Sequence, residues 1–485
     1  MSGLFLHITS LPSEYGIGDL GPAAYSWIDL LAKNNQSVWQ ICPVGPVGFG
    51  YSPYMTLSAF AGNTLLLSPK VLKDWGYLTD EDLADIPALP QDTVDFSAVD
   101  SLKNRLHKKA CERFSPTPEY REFCSNEAYW LDDYVLFLSL SRHFRTNDWS
   151  TWPQKYALRD TACLEQWKDD HRTELRQYRI LQFMFQSQWF DLKMYANESG
   201  ISLFGDAPYY VAYASSDVWA HRGLFELDSQ GSPQRVGGVP PDYFSEDGQL
   251  WGNPLYDWDA LKESGYNWWI QRIKRLHFYT DFIRIDHFRA FEAYWAVPAD
   301  STTARNGEWI PCPGDDFFSV VKEKLGDLPL IAEDLGTITQ DVIDLRMNHN
   351  IPGMKVLQFA FDGNPENWYL PYNCGQNSIM YSGTHDNDTL TGWISSLDTE
   401  THNRVREYLD CTTEKIPDKI IRETLASVSR MAILPLQDIL RLGSPYRFNT
   451  PGTTQNNWGF RFTWDMINNE YFEQLKNFTR IYGRS

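Results

Sequence analysis

The sequence predicts an α/β protein: a single (β/α)8 TIM barrel carrying large, mainly helical insertions. Eight short apolar runs bounded by turn residues, helical patterns between many of them, and acidic residues at the ends of several runs point to it. The runs are LFLHI (4–8), SVWQICPV (37–44), ISLFGD (201–206), DFIRID (281–286), PLIAED (329–334), KVLQFAF (355–361), SIMYSG (378–383) and RMAILPL (430–436). Several are almost continuously apolar, as parallel strands covered on both faces require. Helical spacing fills AAYSWIDLLAKNN (23–35), WWIQRIKRLHF (268–278) and DVIDLRMNHN (341–350).

The second and third runs are too far apart for one crossover. The intervening stretch is charged and helical in pattern, so 68–200 reads as a mainly helical insertion subdomain. A second insertion, 207–260, is rich in Gly, Pro and aromatics and includes a loop, 236–258, that ends in QLWGNPLYDW. The whole of 1–485 is thus expected to form one barrel domain with these two outgrowths.

Composition narrows the function. A net charge of −20 over 485 residues disfavours nucleic acid and anionic membranes as partners, since both would be repelled. No run approaches the ~20 uninterrupted apolar residues of a membrane helix, and the N-terminus lacks the basic and apolar regions of a signal peptide. Seven scattered cysteines without a C-x-x-C pair fit reduced thiols and a cytoplasmic location. Aromatic residues make up 15% of the chain. Most belong to a core, but those in loops such as GYSPY offer flat apolar faces to sugar rings.

The acidic strand ends are Asp206, Asp286, Glu333 with Asp334, Asp386 with Asp388, and Asp438. In a barrel, such ends converge on the active-site face. For Asp334 and Asp438, capping of the next helix is the expected role. Along DFIRID, alternation puts Phe282, Arg284 and Asp286 on one face and Ile283 and Ile285 on the other. Arg284 should then enter the barrel mouth beside Asp286 and keep that carboxylate ionised, as a nucleophile requires. Glu333, near this anion, is expected to hold its proton more firmly. An ionised and a protonated carboxyl side by side suit glycosidic-bond cleavage. Asp386 and His385 lie in YSGTHDNDT, where they can bond sugar hydroxyls and favour a positively charged transition state.

The ordered set LHITSLPSEYGIGDLG, GYSPYMTLSAFAGN, FGDAPYYV, PPDYFSEDGQLWGNP, FIRIDHFR, IAEDLG, LQFAF, SGTHDNDT and NTPGTTQNNW resembles the 4-α-glucanotransferases (amylomaltases or disproportionating enzymes) of the α-amylase clan. The resemblance runs from about residue 4 to 458. It implies Asp286 as nucleophile, Glu333 as general acid/base and Asp386 as transition-state stabiliser, with Arg284 and His385 as positioning groups. It also implies glucan contacts from Ser52, Tyr54, Asp206, Gln249, Trp251, Phe359 and Asn449. The partners it implies are maltodextrin or other α-glucan donors and acceptors; no cofactor or metal is expected. Ile8 and the step Ala207-Pro208-Tyr209-Tyr210 depart from the family pattern without touching these positions. The loop 236–258, with Gly237, Gly238, Pro240, Pro241, Tyr243, Phe244 and Trp251, is the candidate shield that keeps water from the intermediate.

Other readings stay open at this level. A plain α-glucan hydrolase would use the same triad. A Mg²⁺-dependent barrel enzyme would also place acids at strand ends, although Arg284 would compete with the metal. A silent glucan-binding protein would need the loop aromatics but not the triad. GPVGFG (45–50) lacks both the order and the following helix of a phosphate loop.

Overall fold

The computed structural model describes residues 1–241 and 245–484. Tyr243 and Phe244, two of the expected shield residues, lie outside the described residues. Twelve strands are described: β1 (Ser2–Phe5), β2 (Val38–Gln40), β3 (Ser202–Ala207), β4 (Arg235–Val239), β5 (Gln249–Pro254), β6 (Phe282–Ile285), β7 (Ala293–Pro298), β8 (Glu308–Pro311), β9 (Leu330–Ala332), β10 (Gly353–Val356), β11 (Ser378–Tyr381) and β12 (Met431–Pro435). Eight of them close a parallel barrel in the order β1-β12-β11-β10-β9-β6-β3-β2. Each expected run contributes one barrel strand.

Several boundaries differ from the sequence reading: in SVWQICPV only Val38–Gln40 is strand. The first strand is Ser2–Phe5, and Ile8 falls in a following 3-10 turn. In KVLQFAF the strand stops at Val356 and Leu357–Ala360 turns as a 3-10 helix. Both runs stay apolar because the turn residues are buried too, so hydrophobicity alone marks no end to the strand. β1 and β2 approach so closely that a Cβ on Gly3 would lie 2.3 Å from the Val38 carbonyl oxygen.

Between β2 and β3 the chain is helical, dominated by Phe96–Arg113, Ala128–Phe144 and the 27-residue helix Arg172–Glu198. The long helix buries Leu181, Met184, Phe185, Gln188, Trp189 and Leu192, the three-four spacing of a helix with one covered face. Two of its glutamines hold the loop after β2. Gln182 exchanges both amide hydrogen bonds with the backbone of Gly62 (2.8 and 2.9 Å), and Gln188 does the same with Ser68 (2.8 and 3.4 Å). That loop carries Ser52 and Tyr54.

A second, antiparallel sheet has the order β5-β4-β7-β8. It joins the stretch 207–260 to the crossover that follows β6, a pairing the sequence did not disclose. Two large hydrophobic clusters pack on the barrel, one around β1, β2 and β10 to β12 and one around β6 and the aromatic segments near it. Ile283 and Ile285, at 0% and 1% exposure, pack with Trp219, Trp269 and Phe291. Each such isoleucine contributes about 1.5–3 kcal/mol on burial, which pins β6 with its alternate residues facing the mouth.

Candidate active site

Arg284 is the electrostatic centre of the barrel mouth. Asp206 on β3 and Arg284 on β6 are direct register partners, so their side chains emerge side by side. One guanidinium nitrogen donates to Asp206 Oδ2 at 2.5 Å and the other meets Asp286 Oδ1 at 2.7 Å. The Tyr54 hydroxyl donates to the same Asp206 oxygen at 2.8 Å. Arg284 is 3% exposed, so the two carboxylates and their hydrogen bonds are what make its burial tolerable.

The expectation that Arg284 alone keeps Asp286 ionised needs correction. Burial, reinforced by the charges of Asp206, Glu333 and Asp386, pushes the Asp286 carboxyl up to about 8, with Arg284 opposing. The mouth gathers more anion than one guanidinium can neutralise. Because 28% of the Asp286 side chain still faces the cleft, a ligand there would reset this balance directly.

Asp286 is followed by His287 in the left-handed region, at φ 51°. For a residue with a Cβ this conformation is uncommon and costs of order 1–3 kcal/mol. It turns the His287 amide toward the neighbouring strand end, where it donates to Glu333 Oε2 at 2.8 Å. Leu335 N donates to Glu333 Oε1 at 3.0 Å, and Glu333 N donates to Ile285 O at 3.0 Å. Glu333 is thereby locked beside the residue that precedes His287. Burial raises its carboxyl above the usual range, against the pull of Arg284 and the two amides. The raised value agrees with the sequence reading, but burial outweighs like-charge repulsion as the cause.

Asp386 enters from the loop after β11. Asn387 Oδ1 accepts from the Thr384 amide and hydroxyl, both at 2.9 Å, and the Asp386 amide donates to Thr384 Oγ1 at 3.2 Å. The Asp386 carboxylate accepts from Asn449 Nδ2 at 2.6 Å and lies 3.3 Å from His385 Nε2. His385 is buried, which lowers its basicity despite the adjacent Asp386, so a neutral ring with its proton on Nε2 can serve this bond. Tyr54 stacks on that ring at 5.1 Å between centroids and 15° between planes. Arg447 donates to the Asp386 carbonyl oxygen and to Asn449 O, tying the two loops together. Sequence reasoning missed Arg447. It lies two residues before Asn449, and only that proximity could have drawn attention to it.

The remaining candidates occupy the rim. Ser52 Oγ accepts from the Tyr54 amide at 3.2 Å, a turn that presents the tyrosine. Gln249 and Trp251 share one face of β5, where Trp251 Nε1 donates to Gln249 Oε1 at 3.1 Å. The Trp251 ring meets His287 edge to face at 4.8 Å, placing it against the turn that follows Asp286. Phe359 sits in the 3-10 turn after β10, against Tyr369.

Two capping expectations are corrected. Asp334 accepts from Met354 N of β10 at 2.6 Å, while Thr339 starts the next helix. Asp438 accepts from Ser382 Oγ and from Leu390 N, the first residue of a helix earlier in the chain. Both are buried acids that stitch neighbouring barrel segments.

The family model described as 4-alpha-glucanotransferase matches residues 6–467. A 4-alpha-glucanotransferase of Synechocystis sp. is 46% identical over 493 residues, spanning 100% of this chain and 98% of that protein. That of Thermus thermophilus is 41% identical, spanning 98% and 97%. Among solved structures, the amylomaltase from Streptococcus agalactiae in complex with acarbose aligns with a TM-score of 0.96 at 36% identity, covering 99% of each chain.

Proposed function

The chain belongs to the 4-alpha-glucanotransferase family, and from that premise we propose that Asp286, Glu333 and Asp386 carry its transfer chemistry by a retaining double displacement. One observation supports this most: Glu333 is hydrogen-bonded by the amide that follows Asp286, while Arg284 grips Asp286 from the other side. Two carboxyls at neighbouring strand ends are thereby fixed by different partners, Asp286 by the Arg284 cation and Glu333 by two backbone amides.

In the first half-reaction an Asp286 oxygen attacks the anomeric carbon of an α-1,4-linked donor. The bond to the leaving oxygen breaks and Glu333 supplies its proton. Glu333, now ionised, takes the proton from the 4-hydroxyl of an acceptor glucan or glucose. That oxygen attacks the same carbon and Asp286 leaves, so configuration is retained. Asp386, fixed by Asn449 and His385, offers negative charge to the oxocarbenium-like transition state and hydrogen bonds to ring hydroxyls. Arg284 holds Asp286 in line. Tyr54, Trp251 and Phe359 give apolar faces to sugar rings, and Ser52, Asp206, Gln249 and Asn449 fix the groups around them.

Transfer outcompetes hydrolysis when sugar, not water, meets the intermediate. The loop 236–258 is the proposed screen, with Trp251 as its anchor against His287. Donors and acceptors are maltodextrins; acarbose, bound by the Streptococcus agalactiae amylomaltase, is the matching probe of this cleft. A cytoplasmic setting suits seven cysteines that are all free thiols. Incubation with maltotriose followed by separation of products tests the reaction. Glucose together with maltodextrins longer than the substrate is expected; glucose and maltose without elongation would overturn transfer in favour of hydrolysis.

A further inference from the structure

Behind Glu333 stands a buried lysine that the chemistry above does not use. On β10, Met354 and Val356 are completely enclosed in the core, and Lys355 between them points to the opposite face at 7% exposure. Its ammonium lies 4.0 Å from the ring centroid of Trp368 and 5.6 Å from that of Tyr369. On the same side of the barrel wall, Asp334 is 1% exposed, with Arg346 Nε 3.2 Å from its Oδ2. The charge of Asp334 also supports the Lys355 ammonium against burial.

The aromatic turn above this cation leads back into the cleft. Asn367 Nδ2 donates to Phe359 O at 2.9 Å, and Asn367 Oδ1 accepts from the Tyr369 amide at 2.8 Å. Tyr369 meets Phe359 edge to face at 5.6 Å, and Trp368 meets Tyr369 likewise at 5.7 Å. Lys355, the 367–369 turn and Phe359 therefore form one connected unit at the end of β10, the strand next to Glu333.

An apolar side chain of similar length would fill this space without the cost of desolvating a charge. What the ammonium adds is direction: a cation seeks the centre of a ring face, whereas a methyl group slides over it. The proton donor in a displacement of this kind stands on the side where the leaving sugar departs and the acceptor arrives. Phe359 stands in the turn that ends β10, and β10 pairs with β9, the strand that leads to Glu333.

We propose that Lys355 is a positioning residue for acceptor binding: buried in the barrel wall and set against the Trp368 and Tyr369 rings, it fixes the 367–369 turn and, through Tyr369, the ring of Phe359. This rests on the assignment of Glu333 as acid/base and extends it to a residue that touches no sugar.

The test uses the full-length protein, with Lys355→Met removing the charge and Lys355→Arg retaining a cation able to stack on Trp368. Initial rates with maltotriose as donor are measured over a range of glucose concentrations, with elongation and hydrolysis products quantified separately. For Lys355→Met the acceptor KM should rise and the transfer-to-hydrolysis ratio should fall, each by about threefold to tenfold, the scale of a displaced aromatic contact. Lys355→Arg should restore most of both. A merely structural lysine would lower the melting temperature and leave the ratio and the acceptor KM of the folded enzyme unchanged, which would overturn the proposal. If Lys355→Met does not fold, Trp368→Leu breaks the same contact from the opposite end and carries the same criterion. Glu333→Gln is run in parallel. Retained activity there would sink the acid/base assignment itself, whereas an inactive Glu333→Gln with an unchanged Lys355→Met ratio would sink the lysine proposal alone.

Discussion

Two of the places where this molecule buries charge are balanced in opposite directions. In the first, between the N-terminal loops and the helix Phe96–Arg113, Lys103 and Arg461 are 0% and 1% exposed and share Asp19 as their buried acid. Lys103 donates to Leu67 O at 2.6 Å, and Arg461 donates to Pro90 O and Ser13 O at 2.8 and 2.7 Å. Carbonyl oxygens satisfy what Asp19 does not, so this site fastens loops. In the barrel mouth the surplus is negative: Arg284 faces Asp206, Asp286 and Glu333, with Asp386 adding to the field at Asp286. Backbone amides and a strained His287 hold the excess in place. A fold gains nothing from crowding anions, but a reaction that passes through a cationic sugar does.

The largest expected effect separates the two sites most sharply. Asp286→Asn should lower kcat by about four orders of magnitude, the scale of losing one member of a catalytic unit. It should also raise thermal stability, because Arg284 keeps its bond to Asp206. The sign follows from linkage. With its carboxyl held up near 8 against an ordinary value of 3.8, the native state binds the extra proton across that interval, so stability falls as pH rises through it. The melting advantage of Asp286→Asn should therefore be greatest above pH 8 and vanish toward pH 4. A variant that is both inactive and less stable would show Asp286 to be structural.

Lys103→Met should do the reverse. Leaving Asp19 buried without its nearer cation costs roughly 3–5 kcal/mol, read by denaturant unfolding, while kcat per folded molecule stays at the wild-type level. Adding Asp19→Asn should recover much of the loss. If Lys103→Met alters kcat, the division between fastening and reacting charges fails.

A smaller effect lies in the pH profile. Since Asp286 must be ionised in the free enzyme, the acid limb of kcat/KM should lie above the ordinary carboxylate range. Asp206→Asn, which removes a neighbouring anion and leaves Arg284 to Asp286, should move that limb downward. An upward move would mean that Asp206 acts mainly by orienting Arg284. The smallest effect is expected at the rim: Trp251→Ala should raise the KM for maltotriose by about tenfold, with kcat falling less, as loss of one stacked aromatic face implies.

Much of the mouth was legible because strands alternate: once Ile283 and Ile285 are assigned to the covered face, Arg284 and Asp286 have one direction left. The acids at five barrel-strand ends, those of β3, β6, β9, β11 and β12, could likewise be read along the chain. The proton balance at Asp286 could not, since it depends on Asp206, Glu333 and Asp386 arriving from three other strands. The sheet that joins β4 and β5 to β7 and β8 was also hidden. Ala293–Pro298 is an apolar run, but it follows β6 after only a short turn and pairs antiparallel outside the barrel, while Glu308–Pro311 is largely exposed and carries no apolar run. The 367–369 turn was hidden for another reason: nothing in KVLQFAF shows that Trp368 and Tyr369 close over Lys355.

Gln182 and Gln188 give the helical insertion a role beyond decoration. Each presents an amide that behaves as a peptide unit, so the loop ending at Ser68 is docked as though against a further strand lying on the helix surface. An exchange of residues 69–198 between relatives would therefore succeed only if both surrogate peptides came with the graft. Without them, the shape of the cleft at Tyr54 would no longer be inherited from the recipient barrel.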